Sequence, residues 1–429
     1  MKTRLYMGYL SLVLLLAASG AHAAEAGWNV TVEAGATDRN QTPVKVLVQV
    51  PETEKAATIV SLSPAGQGGE PLVGQLTMPG VLAPVVAGKR DPLQRELHFI
   101  LPSLKAGANA SYTAKIVASD SSAKQFAWKD TPGKQMDLTF GDRSVLRYMY
   151  ERVDNSNKDR RGETFKVYHH LFDPQGERLV TKGPGGLFPH HRGVYFGFNR
   201  ISYDGQSADV WHCNNGESQT HEGFLLQEAG PVLARHTLDI AWRGKVANVL
   251  EKKELGAIFA KEKREITVYN TPGGLMMSFA TRLETTGGKV RLDGDPQHAG
   301  VHFRASQEVP DKTAKKTYYV RPDGQAEPGK FRNWPNDKAH VNLAWNALSF
   351  VLGEQRYTCC YLDRPENPKE SRFSERDYGR FGSYFEYDLD AEHPLELNYR
   401  FWLQEGEMTV AAVAAKSADF VAPPVVGAR

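Results

Sequence analysis

Leu395-Glu-Leu-Asn-Tyr-Arg-Phe-Trp-Leu403 alternates large apolar side chains with polar ones along most of its length. A period of two puts Leu395, Leu397, Tyr399, Phe401 and Leu403 on one face, the pattern of a half-buried β-strand. The same rhythm, rich in aromatic residues, recurs in Met136 to Phe140, Val145 to Tyr150, Val194 to Asn199, Glu265 to Tyr269, Gly274 to Leu283, Leu348 to Gly353, Tyr357 to Leu362 and Gly382 to Asp388. Turn signals such as Gly141-Asp142, Thr271-Pro-Gly-Gly274 and Thr286-Gly-Gly288 separate these runs. No amphipathic helical pattern longer than three turns intervenes. That argues against a parallel βαβ sheet and for a large antiparallel β-sandwich over 126–415, similar to the galactose mutarotase supersandwich.

Upstream, from Trp28 to about Ile116, the runs are shorter. Lys45-Val-Leu-Val-Gln-Val50 and Glu96-Leu-His-Phe-Ile-Leu101 are set between Gly/Pro/Ala-rich turns such as Pro64-Ala-Gly-Gln-Gly-Gly69. This predicts a small β-sandwich module within 24–125. The chain is therefore expected to be all-β, a small N-terminal sandwich followed by a large one. Residues 416–429, with Pro423-Pro424, are expected to form a flexible tail.

The first residues carry Lys2 and Arg4, an apolar run from Leu5 to Ala18, and Ala21-His22-Ala23. Those are the parts of a cleavable signal peptide over 1–23, which predicts a periplasmic or secreted protein. No Cys follows the run, which argues against a lipid anchor. Nor does any later stretch reach the roughly 20 apolar residues of a spanning helix, so no membrane insertion is expected.

The 52 basic and 50 acidic residues balance to +2, leaving no sequence-independent attraction to nucleic acid. Lys252-Lys253 and Lys261 to Arg264 are interleaved with Glu and read as solvated strand faces. Of the three cysteines, Cys213 could bridge Cys359 or Cys360 in an oxidising compartment, and the absence of CxxC spacing argues against a thiolate zinc site. Serine-hydrolase, P-loop and Rossmann fingerprints are missing from any fitting context.

Four segments could carry chemistry. In Gly183-Pro-Gly-Gly-Leu-Phe-Pro-His-His-Arg-Gly-Val-Tyr-Phe-Gly-Phe-Asn199, a strand beginning near His191 puts His191, Gly193, Tyr195, Gly197 and Asn199 on one face and Arg192, Val194, Phe196 and Phe198 on the other. The first face, polar and with two glycines, suits a ligand lying against the backbone. In Asp209-Val-Trp-His212 and His221-Glu222, Trp211 could stack on a sugar ring while His212 or His221 donates a proton.

In Asp295-Pro-Gln-His-Ala-Gly-Val-His-Phe-Arg304, a strand would hold His298 and His302 about 13 Å apart, too far to share a metal without a bulge. His302 and Arg304 make an acid and an anion clamp instead. In Ser374-Glu-Arg-Asp-Tyr-Gly-Arg-Phe-Gly382, Glu375 or Asp377 could be a base whose charge is set by Arg376 and Arg380. The polar-aromatic loops Asp363 to Pro368 and Phe331 to Asp337 could line the same cleft. Each segment has a plainer reading as turns and ion pairs that brace strands. His190, His191, His212 and His221 lack HxH or HExxH spacing, so no metal ligand set is expected.

On Phe188 to Asn199, Asp209 to His212, Gly294 to Arg304 and Ser374 to Gly382, the chain resembles a bacterial family of unknown function that carries the label methane oxygenase PmoA, over roughly Arg143 to Met408. A methane monooxygenase subunit is an integral membrane protein, so the label is not read as an activity. The resemblance implies an exported protein of the kind found in sugar-degrading systems. It supplies no catalytic residues.

The expectation is therefore a carbohydrate-active protein with a saccharide or glycan as partner and no cofactor. His191, His302, Glu375 and Asp377 would be its acid/base groups. His190, Arg192, Asn199, Trp211, His212, His298, Arg304 and Arg380 would bind substrate. A non-catalytic glycan-binding module and a metal-dependent enzyme built on the His cluster are the rivals.

Overall fold

The computed structural model describes residues 27–66, 68–84, 91–120 and 122–429. The signal-peptide expectation for 1–23 lies outside them. The fold is all-β and antiparallel, a small N-terminal sandwich followed by a large one.

Seven strands build the N-terminal sheet, in the order Arg39–Gln49, Gln94–Leu104, Leu72–Thr77, Ile59–Pro64, Asn109–Ile116, Gly27–Glu33 and Val425–Ala428. Its two outermost strands come into contact, so the sheet folds over on a core of its own that includes Val30, Val32, Leu97, Phe99 and Tyr112. The seventh strand corrects the expectation for 416–429. Val410–Val421 is a helix capped by Thr409, whose hydroxyl accepts from Ala412 N. Beyond Pro423-Pro424 the chain pairs with Gly27–Glu33 in the register Val30 opposite Ala428. Proline cannot continue a helix but leaves the following residues free to form an edge strand.

Deleting residues 423–429 is expected to lower stability by about 3 kcal/mol, at roughly 1 kcal/mol net per ladder hydrogen bond lost. Urea unfolding checks this. An unchanged midpoint would mean that the strand contributes nothing.

The large unit has two large facing sheets and a smaller four-stranded one, in the order Gln206–Ala208, Arg200–Tyr203, Val290–Asp293 and Tyr387–Leu389. Sheet I has eight strands in the order Arg372–Arg376, Arg380–Tyr384, Ala299–Arg304, Val194–Phe198, Tyr168–Leu171, Arg143–Met149, Gln135–Phe140 and Phe126–Thr131. Sheet II has nine, with Leu395–Glu405 paired to Leu275–Thr285 on one side and Gln355–Asp363 on the other. Leu395, Leu397, Tyr399, Phe401 and Leu403 all point into the space between the sheets, where Phe196, Phe198, Phe303 and Phe381 of sheet I meet them. Trp402 faces the other way, against the helix Val410–Val421 through Val413 and Phe420. Among the described residues no helix is long and apolar enough to cross a membrane.

Polar bonds fasten the N-terminal sheet to sheet II. Gln75 donates to Leu233 O at 3.1 Å and accepts from Val232 N and Leu233 N at 3.1 and 3.0 Å. Buried Arg235 lies 2.9 Å from Glu96. The basic stretch Lys261 to Arg264 is only half solvated. Lys261 and Lys263 are exposed, but Glu262 and Arg264 point inward as a fully buried pair 2.7 Å apart, because a strand sends alternate residues to opposite faces. All three cysteines are buried and free. Cys359 faces the inter-sheet core and Cys360 the opposite face, against Met408.

Candidate metal centre

The site lies on the face of sheet I turned away from the core. Phe196 and Phe198 fill the core, whereas Tyr195 turns outward to Trp211, their ring centroids 4.6 Å apart. One strand over, His302 sits opposite Tyr195 and follows the same parity.

Three loops cross this outer face, and each delivers one member of a histidine cluster. The first is the glycine-rich loop before Val194–Phe198. His191 N donates to Phe188 O at 3.0 Å, and Gly193 N donates to Lys182 O at 2.8 Å. Gly193 has φ +42, and a Cβ there would stand 2.1 Å from His169 O, so no other residue fits. This turn sets His190 and His191 side by side, with ring centroids 4.3 Å apart.

The second and third loops are built alike. Asp209 Oδ1 accepts from Trp211 N and His212 N at 2.9 and 2.8 Å, while its Oδ2 lies 2.8 Å from His212 Nδ1. Asp295 Oδ1 accepts from Gln297 N at 2.9 Å and lies 2.9 Å from His298 Nδ1, and Asn199 donates to Asp295 Oδ2 at 2.7 Å. Each carboxylate closes its turn and fixes the Nδ1–H tautomer, which leaves the Nε2 lone pair free to point inward.

The result is a cluster of His190, His212 and His298 whose ligand nitrogens all lie within 4.8 Å of one another, each residue half-buried. Four-coordinate zinc with nitrogen ligands at about 2.0–2.1 Å would hold them about 3.4 Å apart, which small side-chain rotations supply. Burial, together with Lys166 and the neighbouring imidazoles, pulls His190 down to about 2, so the ring stays neutral and its lone pair available. Burial raises Asp295, but the bonds from His298, Gln297 and Asn199 outweigh it and hold the carboxyl well below the usual range. A tetrahedral ion held by three imidazoles would keep a fourth position open.

Behind the cluster the polar groups are buried and underused. His191, stacked parallel to His298 at 5.7 Å, has no partner for either ring nitrogen among the described residues. The same holds for His302 Nε2, Tyr195 Oη and Trp211 Nε1. Burial brings the Lys166 ammonium, 4.2 Å over the Tyr195 ring, down to about 7. Arg304 lies 4.9 Å over Tyr378, and Arg380 Nη1 is 3.5 Å from His302 Nδ1.

Several expected roles are corrected. Glu375 is not at this site. It stands opposite Phe381 on the core face of sheet I, where Arg321 and Asn346 of sheet II hold it. Asp377 lies in the half-buried turn 377–379, and among the described residues it pairs with no histidine. Arg192 is no oxygen clamp, since it donates to the carbonyls of Pro189, Glu163 and Gly162 and packs 4.2 Å over Phe165. Trp211 is fully buried and offers no stacking face.

Asn199 acts one step back, on Asp295. His221 belongs to a separate aromatic group with Tyr148 and Tyr150. The loop Phe331 to Asp337 serves Glu375, through Arg332 N at 2.9 Å, and not the imidazoles. Although no compact spacing links them in the chain, His190, His212 and His298 converge from separate loops into an arrangement that could hold a metal ion.

A family model described as a family of unknown function, DUF6807, matches residues 135–418. The chain belongs to this family. The DUF6807 segment takes in all three histidine loops and both sheets except the strand Phe126–Thr131. No curated protein matches the chain. Among solved structures, the chain is similar to a protein in the glycosyl hydrolase family 38 from Enterococcus faecalis, at 10% identity and a TM-score of 0.41. That match covers 94% of this chain and 47% of that one, so the chain spans about half its length.

Proposed function

We propose that this DUF6807 protein is an exported, divalent-metal-dependent enzyme acting on a saccharide, with His190, His212 and His298 as the metal ligands. The observation that carries the reading is the convergence of three imidazoles, two of them turned by their own carboxylates. An ion held there by three neutral nitrogens would keep its charge, polarise an oxygen of the substrate and lower the pKa of bound water toward 7. His191, with both nitrogens free beside the ligands, is placed to hydrogen-bond an oxygen at the open position.

Phe188 and Tyr378 support the saccharide part. Their rings are 5.1 Å apart beside the histidines, and Phe188 is 40% exposed in the loop. They offer the apolar face that buried Trp211 cannot.

Elemental analysis of the purified protein tests the reading. One divalent ion per chain is expected, lost in His212→Ala while the far-ultraviolet circular dichroism stays unchanged. Protein that carries no metal after dialysis against zinc, manganese or nickel, and whose melting temperature ignores a chelator, would overturn it.

A further inference from the structure

Five arginines of this chain are among its largest fully buried side chains, and three of them are held by carboxylates or carbonyls of the protein itself, although Arg264 Nη1 is left over. Arg235 and Arg264 face carboxylates. Arg192 gives Nε, Nη1 and Nη2 to three carbonyls. Arg304 and Arg380 are different. Arg304 uses only Nη1, on the carbonyls of Ala305 and Tyr378, and Arg380 uses only Nη1, on Ser374 Oγ at 3.0 Å and toward His302. The Nε and Nη2 of both have no partner, and neither guanidinium has a carboxylate within ion-pair distance among the described residues.

The two also stand directly opposite each other on adjacent antiparallel strands. Directly opposed side chains of a ladder share a face, and like charges so placed repel. Burying an unpaired charge is among the costliest arrangements in a protein, and here two are buried together. Each guanidinium keeps Nε and Nη2, the edge that grips a carboxylate with two parallel hydrogen bonds. The same face continues through His302 and Trp211 to His191, beside the metal ligands.

We infer that Arg304 and Arg380 form an oxyanion site, and that the substrate is a carboxylate-bearing saccharide, a uronic acid or its glycoside, anchored there while its reacting end reaches the metal. The connection to catalysis rests on the metal-centre reading; the anion site itself does not. The aromatic pair Phe188 and Tyr378 would take the sugar face, and the arginine pair its charge.

The experiment is calorimetric titration of the metal-loaded protein with glucuronate, glucose, inorganic sulfate and inorganic phosphate. Glucuronate is expected to bind at least tenfold tighter than glucose, and more weakly as salt is raised. Arg304→Gln and Arg380→Gln are expected to lose at least tenfold in glucuronate affinity.

Arg380→Met separates ligand binding from a structural role. It removes one of two repelling buried charges, so the ligand-free variant is expected to melt no lower than the parent while losing glucuronate binding. A merely structural arginine would lower both. Sulfate or phosphate binding more tightly than glucuronate would keep the oxyanion site but overturn the carboxylate. Equal affinities for glucuronate and glucose, no binding of any anion, or unchanged affinity in both Gln variants would overturn the site. Glucuronate binding retained in metal-free His212→Ala would show that it stands apart from the metal, which elemental analysis judges separately.

Discussion

Glu375→Ala is expected to destabilise the protein by about 3–5 kcal/mol, the cost of leaving a buried charge without its partner. Glu375 is fully buried and makes five polar contacts: Arg321 Nε and Nη2 at 2.8 and 2.5 Å, Arg332 N at 2.9 Å, Asn346 Nδ2 at 2.9 Å and His340 Nε2 at 3.3 Å. Arg321 and Asn346 belong to sheet II and Glu375 to sheet I, so the carboxylate ties the sheets together across their shared core.

Although burial raises Glu375, the bonds and charges of Arg321 and His340 dominate and bring it from 4.5 to about 2. A pKa lowered in the folded state adds stability that is complete above the unfolded value and is lost as pH falls from about 4.5 toward 2. The drop is on the order of 3 kcal/mol, in line with the mutational cost. Urea unfolding at pH 7 and pH 3 should show the parent losing most of this increment and Glu375→Gln losing far less. A loss under 1 kcal/mol in Glu375→Ala at pH 7 would sink the account.

Glu375 also shows where sequence reading ran out. It stood among charged and glycine neighbours in Ser374 to Gly382, a composition that fits a catalytic loop and a bracing loop equally well. What separates them is strand parity. Ser374 shares the outer face with Arg380, whereas Phe373 and Glu375 point into the core. Periodicity gives that alternation only once the strand's start is known, and the turn at 377–379 hides it.

The long strands were legible because an apolar face repeated every second residue matches the pleat of a sheet and clashes with the 3.6-residue turn of a helix. Leu395–Glu405 and Gln355–Asp363 needed only local pattern. The clustered histidines did not have one. His190, His212 and His298 are brought together by cross-strand register, and the available clue was the repeat of Asp-x-x-His in Asp209 to His212 and Asp295 to His298. That clue alone is weak. Asp390 to His393 makes the same turn, with His393 Nδ1 2.9 Å from Asp390, on an exposed corner, and among the described residues His393 joins no histidine cluster.

The same comparison yields the second large effect. In Asp209→Asn the amide oxygen can still accept from Trp211 N and His212 N, so the turn survives. The lost function is Oδ2, which accepts the His212 Nδ1 proton. An amide NH₂ in its place is a donor, so His212 must offer Nδ1 as an acceptor and move its proton to Nε2, aimed at the metal. Asp295→Asn should act on His298 in the same way. Each is expected to weaken metal binding about 10–100-fold, and because the two pairs sit on separate loops the losses should roughly multiply.

Stability supplies the readout. Metal at 1,000 times its Kd adds about 4 kcal/mol to folding, and a hundredfold weaker site at the same concentration adds about 1.4 kcal/mol. The metal-dependent rise in melting temperature should therefore shrink in each variant, nearly vanish in the double variant and stay intact in Asp390→Asn. Full metal affinity in Asp209→Asn would show that His212 does not bind the ion through the nitrogen its carboxylate turns inward.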